Sequence, residues 1–370
     1  MPFRPFFLAA ALYAIPPVAL WLPAALGRGA AAPLAFRHAE ALLFGMIPAA
    51  MAGFMLTALP RWTGRAVMPR RAGALLLALW LAGRLGVLPE AMPLVLAAIV
   101  AGNIIAAGNA RNAAPALLVA LFAAGGCLVR VPGTAALGLR LGLAAAVALQ
   151  MVLAGRIIPA LTARHVLLRT GAVLRLRHSA LEWPAAALAV AALTVWVAAP
   201  AAVTTALFAV AAAAGQAARL ALWQGWRARR APPVLALHLA YAWLPAGFLL
   251  AAWHIFRPAR VSGLAAVHAW AIGGVAVLCL GIMSSMIRRH AGHPFASSAA
   301  ATACYASGLL ACIARLAVEP AAGGWRGATL LVAVLFWCAS YTLFLGAFGR
   351  VLLPVRRCPA NRPRARPPSF

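Results

Sequence analysis

The sequence predicts an all-α, polytopic membrane protein with about twelve transmembrane helices in one bundle. The first observation is composition. Hydrophobic residues make up 65% of the 370 residues and charged residues only 10%, with a mean hydropathy of +0.93. A soluble globule carries roughly a quarter charged residues. The second is run length, since the apolar runs repeatedly reach the roughly 20 residues that cross a bilayer. The third is punctuation: arginine, proline and glycine collect in the short connections between runs.

Taken in order, the apolar runs are 7–27, 39–60, 72–89, 92–109, 113–130, 134–158, 179–199, 202–224, 234–255, 263–287, 297–318 and 328–350. The first follows Arg4 as a signal peptide's core would, but Phe7 to Leu26 is long enough to span, so it reads as a retained helix. Pro33, Pro60, Pro89, Pro159, Pro200, the Pro232–Pro233 pair, Pro258 and Pro354 mark ends. The cut between the seventh and eighth runs rests on AAPAAVTT alone. Connections after even-numbered runs hold most of the arginines, among them Arg61, Arg65, Arg70 and Arg71, then Arg164 to Arg177, Arg227 to Arg230, and Arg288 with Arg289. Connections after odd runs hold few, and Glu40, Glu90 and Glu319 fall on that side. This bias places both termini in the cytoplasm. Residues 1–355 then form the bundle, and the tail 356–370, RRCPANRPRARPPSF, reads as a disordered basic segment against the cytoplasmic leaflet.

Several function classes fall away. The net charge of +28 comes from 32 arginines, with no lysine or aspartate, and they lie between membrane runs; no soluble basic face exists to bind nucleic acid. Cys127, Cys279, Cys304, Cys312, Cys338 and Cys358 stand singly, with no CxxC or CxxCH, so zinc knuckles and covalent haem are unsupported. No acid lies midway through a run, and no phosphate-binding glycine loop or serine–histidine–acid set is present. The lack of an internal repeat weakens an inverted-repeat transporter.

Polar groups within apolar runs are expensive and point to sites. The richest stretch is Phe36 to Trp62, where His38 and Glu40 lead into an uncharged run closed by Arg61. On a regular helix His38, Gly45 and Ala49 share one line, with Gly53 just off it, so that a second helix or a flat ligand could come close. By depth, His38, His254 and His268 lie toward the outer face, His238 and His178 toward the inner face, and His165, His290 and His293 in inner connections. His38 and His268 match in depth and form the best pair, because imidazole is the usual axial ligand of non-covalent haem and a good copper ligand. The alternative role is a hydrogen bond to a backbone carbonyl. Glu40 lies about 200° around the helix from His38, so the two reach one ion only if the first turn is irregular.

His238, with Tyr241 and Ala242 on its face, suits either a ring-packing site near His293 or His290, or ordinary core. His178 and Glu182 have the spacing of a helix-surface ion pair. Met46, Met51 and Met55 are either core filler or thioether ligands for copper(I). Cys279 lies about 16 Å deeper than His268 on the same helix, too far to share a metal. Arg84 and Arg156, near run ends, are either anchors or partners for a haem propionate.

Seven segments carry a family resemblance: PFRPFFL (Pro2 to Leu8), LLFG…AGFMLTALPRWTGR (Leu42 to Arg65), LWLAGR (Leu79 to Arg84), GNARN (Gly108 to Asn112), GRIIPALT (Gly155 to Thr162), HLAYAWLP (His238 to Pro245) and VHAWAIGG…MIRRHAGH (Val267 to His293). In order and spacing the chain resembles the NnrS family of multi-pass bacterial membrane proteins, linked to nitric oxide stress and holding haem and copper. The resemblance implies an inner-membrane location, a haem b, a copper ion and nitric oxide as small ligand. Ligands would come from His38, His238, His268 and His293, with Glu40 as an added metal donor. One departure matters. Family members carry a pattern like WHxHEMLFG, and here the same place reads Arg37-His38-Ala39-Glu40-Ala41-Leu42-Leu43-Phe44-Gly45. The first histidine is retained, the second is Glu40, and the family's glutamate is Ala41, which would alter a metal site that used the second histidine. The reading from a different class is a cofactor-free, permease-like transporter.

Overall fold

The computed structural model describes residues 1–28, 31–174, 180–291, 298–319 and 324–353. Among them no strand occurs, and each apolar run of the sequence falls on a helix. We number these α1 (Phe3–Ala25), α2 (Pro33–Thr63), α3 (Arg70–Arg84), α4 (Ala91–Ala106), α5 (Ala110–Arg130), α6 (Ala135–Thr170), α7 (Glu182–Ala198), α8 (Val203–Leu222), α9 (Pro232–Phe256), α10 (Gly263–His290), α11 (Ala299–Ala317) and α12 (Trp325–Leu352). Nine of them are long and apolar enough to cross a membrane. The exceptions are α3, α4 and α7, with 15, 16 and 17 residues. At 1.5 Å per residue they reach only about 22–26 Å. Length and composition thus support nine of the expected twelve crossings among the described residues. The tail 356–370 lies outside them.

Local chemistry sets the irregularities. Pro16 and Pro17 break α1 after Tyr13. The break leaves the Ala14 carbonyl without a helical donor, and the Trp337 indole of α12 donates to it at 2.8 Å. Helix α6 runs 36 residues, past Pro159, until Gly171 takes φ +68° and caps it onto the Leu167 carbonyl. Two helices widen into π geometry, α2 at Leu42–Met46 and α10 at Ala269–Ala276. Each widening lies just after one of the paired histidines, His38 and His268.

The widening also changes what the small residues of α2 face. A Cβ on Gly45 would meet Tyr13 and Arg84, and one on Gly53 would meet Phe7. Their line thus packs on α1 and α3, not on a flat ligand, because the π turn shifts the helical phase between His38 and Gly45. The Trp80 indole donates to the Gly45 carbonyl at 2.8 Å and fixes that approach. Opposite, α5 and α6 touch backbone to backbone through Gly125, Gly138 and Gly142, and the Phe44 ring lies against Gly142.

All four glutamates are paired with arginines. Arg130 bridges Glu40 and Glu90; Arg219 holds Glu182 at 2.6 Å; Arg315 holds Glu319 at 3.0 Å. The partner of Glu182 is therefore Arg219 of α8, whereas His178 lies outside the described residues. Arg219 is buried, donates also to the Tyr241 hydroxyl and the Met151 carbonyl, and lies over the Trp223 ring. A buried ion pair with its remaining donors satisfied is tolerated in an apolar bundle.

The α5–α6 contact gives a stability test. A Cβ at Gly125 would stand 2.7 Å from the Gly142 nitrogen, whereas one at Gly102 meets nothing within 4 Å. Gly125→Ala should lower stability by about 1–3 kcal/mol in a detergent thermal melt, while Gly102→Ala should not lower it.

Candidate functional site

A partly open cavity of about 420 Å³ is lined by His38, Trp21, His268 and Trp196. Met46, Trp337, Arg140 and Arg315 also face it, and the rest of the lining is aliphatic. A volume of that size suits a small-molecule or cofactor site, and so does an apolar wall with few polar groups. His38 and His268 lie within electrostatic reach of each other, and Arg315 lies near both. The pair that depth alone suggested is thus brought to one space.

The two rings are held differently. His268 Nδ1 lies 2.7 Å from the Leu264 carbonyl oxygen, one turn back in α10. A carbonyl can only accept, so Nδ1 carries the proton and Nε2 keeps its lone pair. An anchored Nδ1–H with a free Nε2 is the usual state of a metal-ligating imidazole. His38 stacks on Trp21, centroids 4.8 Å apart at 21°, and its Nδ1 is buried beside the Pro17 backbone with no hydrogen bond of its own.

A second cavity, about 40 Å³, shares Ile47 with the first. Met51 and Met55 reach it from α2, Cys279 and Met283 from α10, and Gln150 from α6. Each sulfur pair is spaced four residues apart, so it projects from one helix face. The Gln150 amide donates to Cys279 Sγ at 3.1 Å, while its Oε1 is buried without a partner. Only the pairing of Met51 with Met55 could be read from α2 alone; the donors on α10 come in through packing.

The other expected donors stand elsewhere. Glu40 turns to Arg130 beside Glu90, away from the cavity of His38, as the helical angle between positions 38 and 40 implies. Burial pushes the Glu90 carboxyl above its ordinary value, against the pull of Arg130. His238 lies 2.9 Å from the Thr162 hydroxyl, which itself donates to the Ile158 carbonyl. The His238 proton therefore sits on Nε2, and its Nδ1 is buried against Gly225. His254 bonds the Val261 carbonyl at 2.7 Å and His290 lies over Phe3. His293 lies outside the described residues. Arg84 and Arg156 serve turns and connections: Arg84 lies over the Tyr13 ring, and Arg156 donates to the Arg111 carbonyl. Sequence reasoning passed over Arg140 and Arg315, whose only signal was position within an apolar run. Among the described residues no three His, Cys, Asp or Glu side chains converge as a metal cluster.

The family model described as NnrS protein matches residues 1–356. The chain belongs to the NnrS family. No curated protein and no solved structure matches it. In this NnrS chain the departure at position 40 falls on an ion pair, not on the cavity wall.

That placement predicts the outcome of restoring a histidine there. Glu40→His should leave the metal content of the purified protein unchanged, measured by elemental analysis, because residue 40 faces Arg130. A gain of one metal per chain would show that positions 38 and 40 share an ion.

Proposed function

We propose that this NnrS protein is a haem protein of the bacterial inner membrane, with both termini cytoplasmic, that binds nitric oxide and so protects cellular metal centres. The observation that carries the reading is the free Nε2 of His268 in an apolar cavity that His38 also lines. The residues fit a haem: two imidazoles for iron, tryptophan and aliphatic walls for a flat apolar ring, and few polar groups besides. A haem held there would supply iron with affinity for nitric oxide. The protein's own part is to hold the His268 ring in one tautomer and to line the site with Trp21, Trp196 and Trp337. A dry wall also favours entry of a small neutral ligand over an ion.

Copper belongs to the same proposal at a different place. Glu40 and His238 do not reach the paired histidines, and carboxylate is a poor donor for copper(I). Met51, Met55, Cys279 and Met283 give the soft thioether and thiol donors that this ion takes, around a space that already exists. The thiol proton would leave as the ion enters, so the buried site gains no net charge.

Protein purified in detergent from haem-supplied cells should show a Soret band. His268→Ala should abolish it and His238→Ala should leave it. A wild-type protein with no band after ample haem would contradict the reading and favour the cofactor-free permease. Met51→Leu combined with Met55→Leu, which keeps the packing volume, should remove most of the bound copper without changing the Soret band. Undiminished copper would exclude the sulfur-lined cavity as its site.

A further inference from the structure

We infer that Arg140 and Arg315 bind the acid groups of the amphiphile held in the larger cavity, and so select its free-acid form. This rests on the haem reading, in which those acids are the two carboxylates of the porphyrin.

Anionic side chains are scarce in this protein. The chain has four acidic side chains against 32 arginines. All four are engaged: Glu40 and Glu90 by Arg130, Glu182 by Arg219, Glu319 by Arg315. None of them lines the cavity, yet Arg140 and Arg315 do. Arg140 has no carboxylate partner among the described residues. Its Nε donates to the Val197 carbonyl at 3.0 Å, and neither terminal nitrogen makes a hydrogen bond among those residues. Arg315 spends Nη1 on Glu319 at 3.0 Å and buries its Nε without a partner.

A guanidinium against an apolar wall costs free energy unless an anion meets it. The chain has no further side-chain carboxylate to give, so an anion for these arginines would come with the ligand. The fork of an arginine matches a carboxylate with two parallel hydrogen bonds. The Nε anchor on Arg140 fixes that fork in advance, so less rotamer freedom is lost on binding. Imidazoles for a centre and two cations within the same wall describe a ligand with an apolar body and two acid arms. Arg140 is the stronger site, because Arg315 is already half neutralised by Glu319. The same chemistry would accept the phosphate of a lipid headgroup, and the test separates the two.

The full-length chain, prepared without haem in phosphatidylcholine nanodiscs, is titrated with haem and with haem dimethyl ester and followed by absorbance. The wild type should bind the free acid about tenfold or more tightly than the ester, the worth of a charge-assisted hydrogen bond. Arg140→Gln should shrink that preference, and Arg140→Gln with Arg315→Gln should abolish it. Binding of the ester should stay unchanged in both variants, which shows that they are folded. Equal binding of acid and ester by the wild type overturns the inference while leaving the haem reading intact, and so does an undiminished preference in Arg140→Gln. A phospholipid retained at one per chain and lost in Arg140→Gln, with acid and ester bound alike, would assign the arginines to a headgroup and also overturn it. Absence of a His268-dependent band with either compound removes the haem reading and this inference with it.

Discussion

A carbonyl one helical turn away determines what the larger cavity can hold. Because Leu264 accepts the Nδ1 proton of His268, the other ring nitrogen faces the cavity as a lone pair with no donor of its own. In water such an atom would be solvated. Within a mostly apolar wall it has few protein donors to meet it. The π segments that follow His38 and His268 fit this picture, since widened turns inside helices occur often at functional sites. In α10 that segment carries Gly273 and Gly274, which take the Trp243 ring and the Leu244 side chain, and Trp270 donates to the Leu244 carbonyl at 3.0 Å. The irregular turn is thereby fixed by packing on α9.

Charge shortage shapes the rest of the interior. With so few carboxylates, each one is placed where a buried or interfacial guanidinium needs it, and carbonyls and aromatic faces serve the others. Arg219 takes a carboxylate, a carbonyl, a hydroxyl and an indole face at once. Arg84 makes do with the Tyr13 ring and a long contact to the Pro89 carbonyl. Arg140 bonds the Val197 carbonyl through Nε alone and also lines the larger cavity.

Much of this was legible in the sequence, for a plain reason. Run length and depth are properties of one helix at a time, so the helical class, the placement of each helix and the matched level of His38 and His268 follow from counting residues. What one helix does not contain is the rotation and identity of its neighbours. The line of Gly45 and Gly53 suggested a groove, yet a π turn rotates it onto Tyr13 and Phe7. Glu182 is paired with Arg219, 37 residues on, a partner that spacing along one helix does not show. Arg140 and Arg315 could not be found by depth, because their importance lies in the wall they share. The count of crossings is least determined at α3, α4 and α7, where the helices are shorter than the apolar runs that predict them.

The most direct test of the account is an experimental density map of the full-length protein purified with haem supplied. The account requires planar density in the cavity lined by His38 and His268, joined to Nε2 of His268, with the Nδ1 bond to Leu264 kept. A cavity filled by an acyl chain, or closed by Trp21 and Trp337 with His268 turned to bond another backbone group, would contradict it.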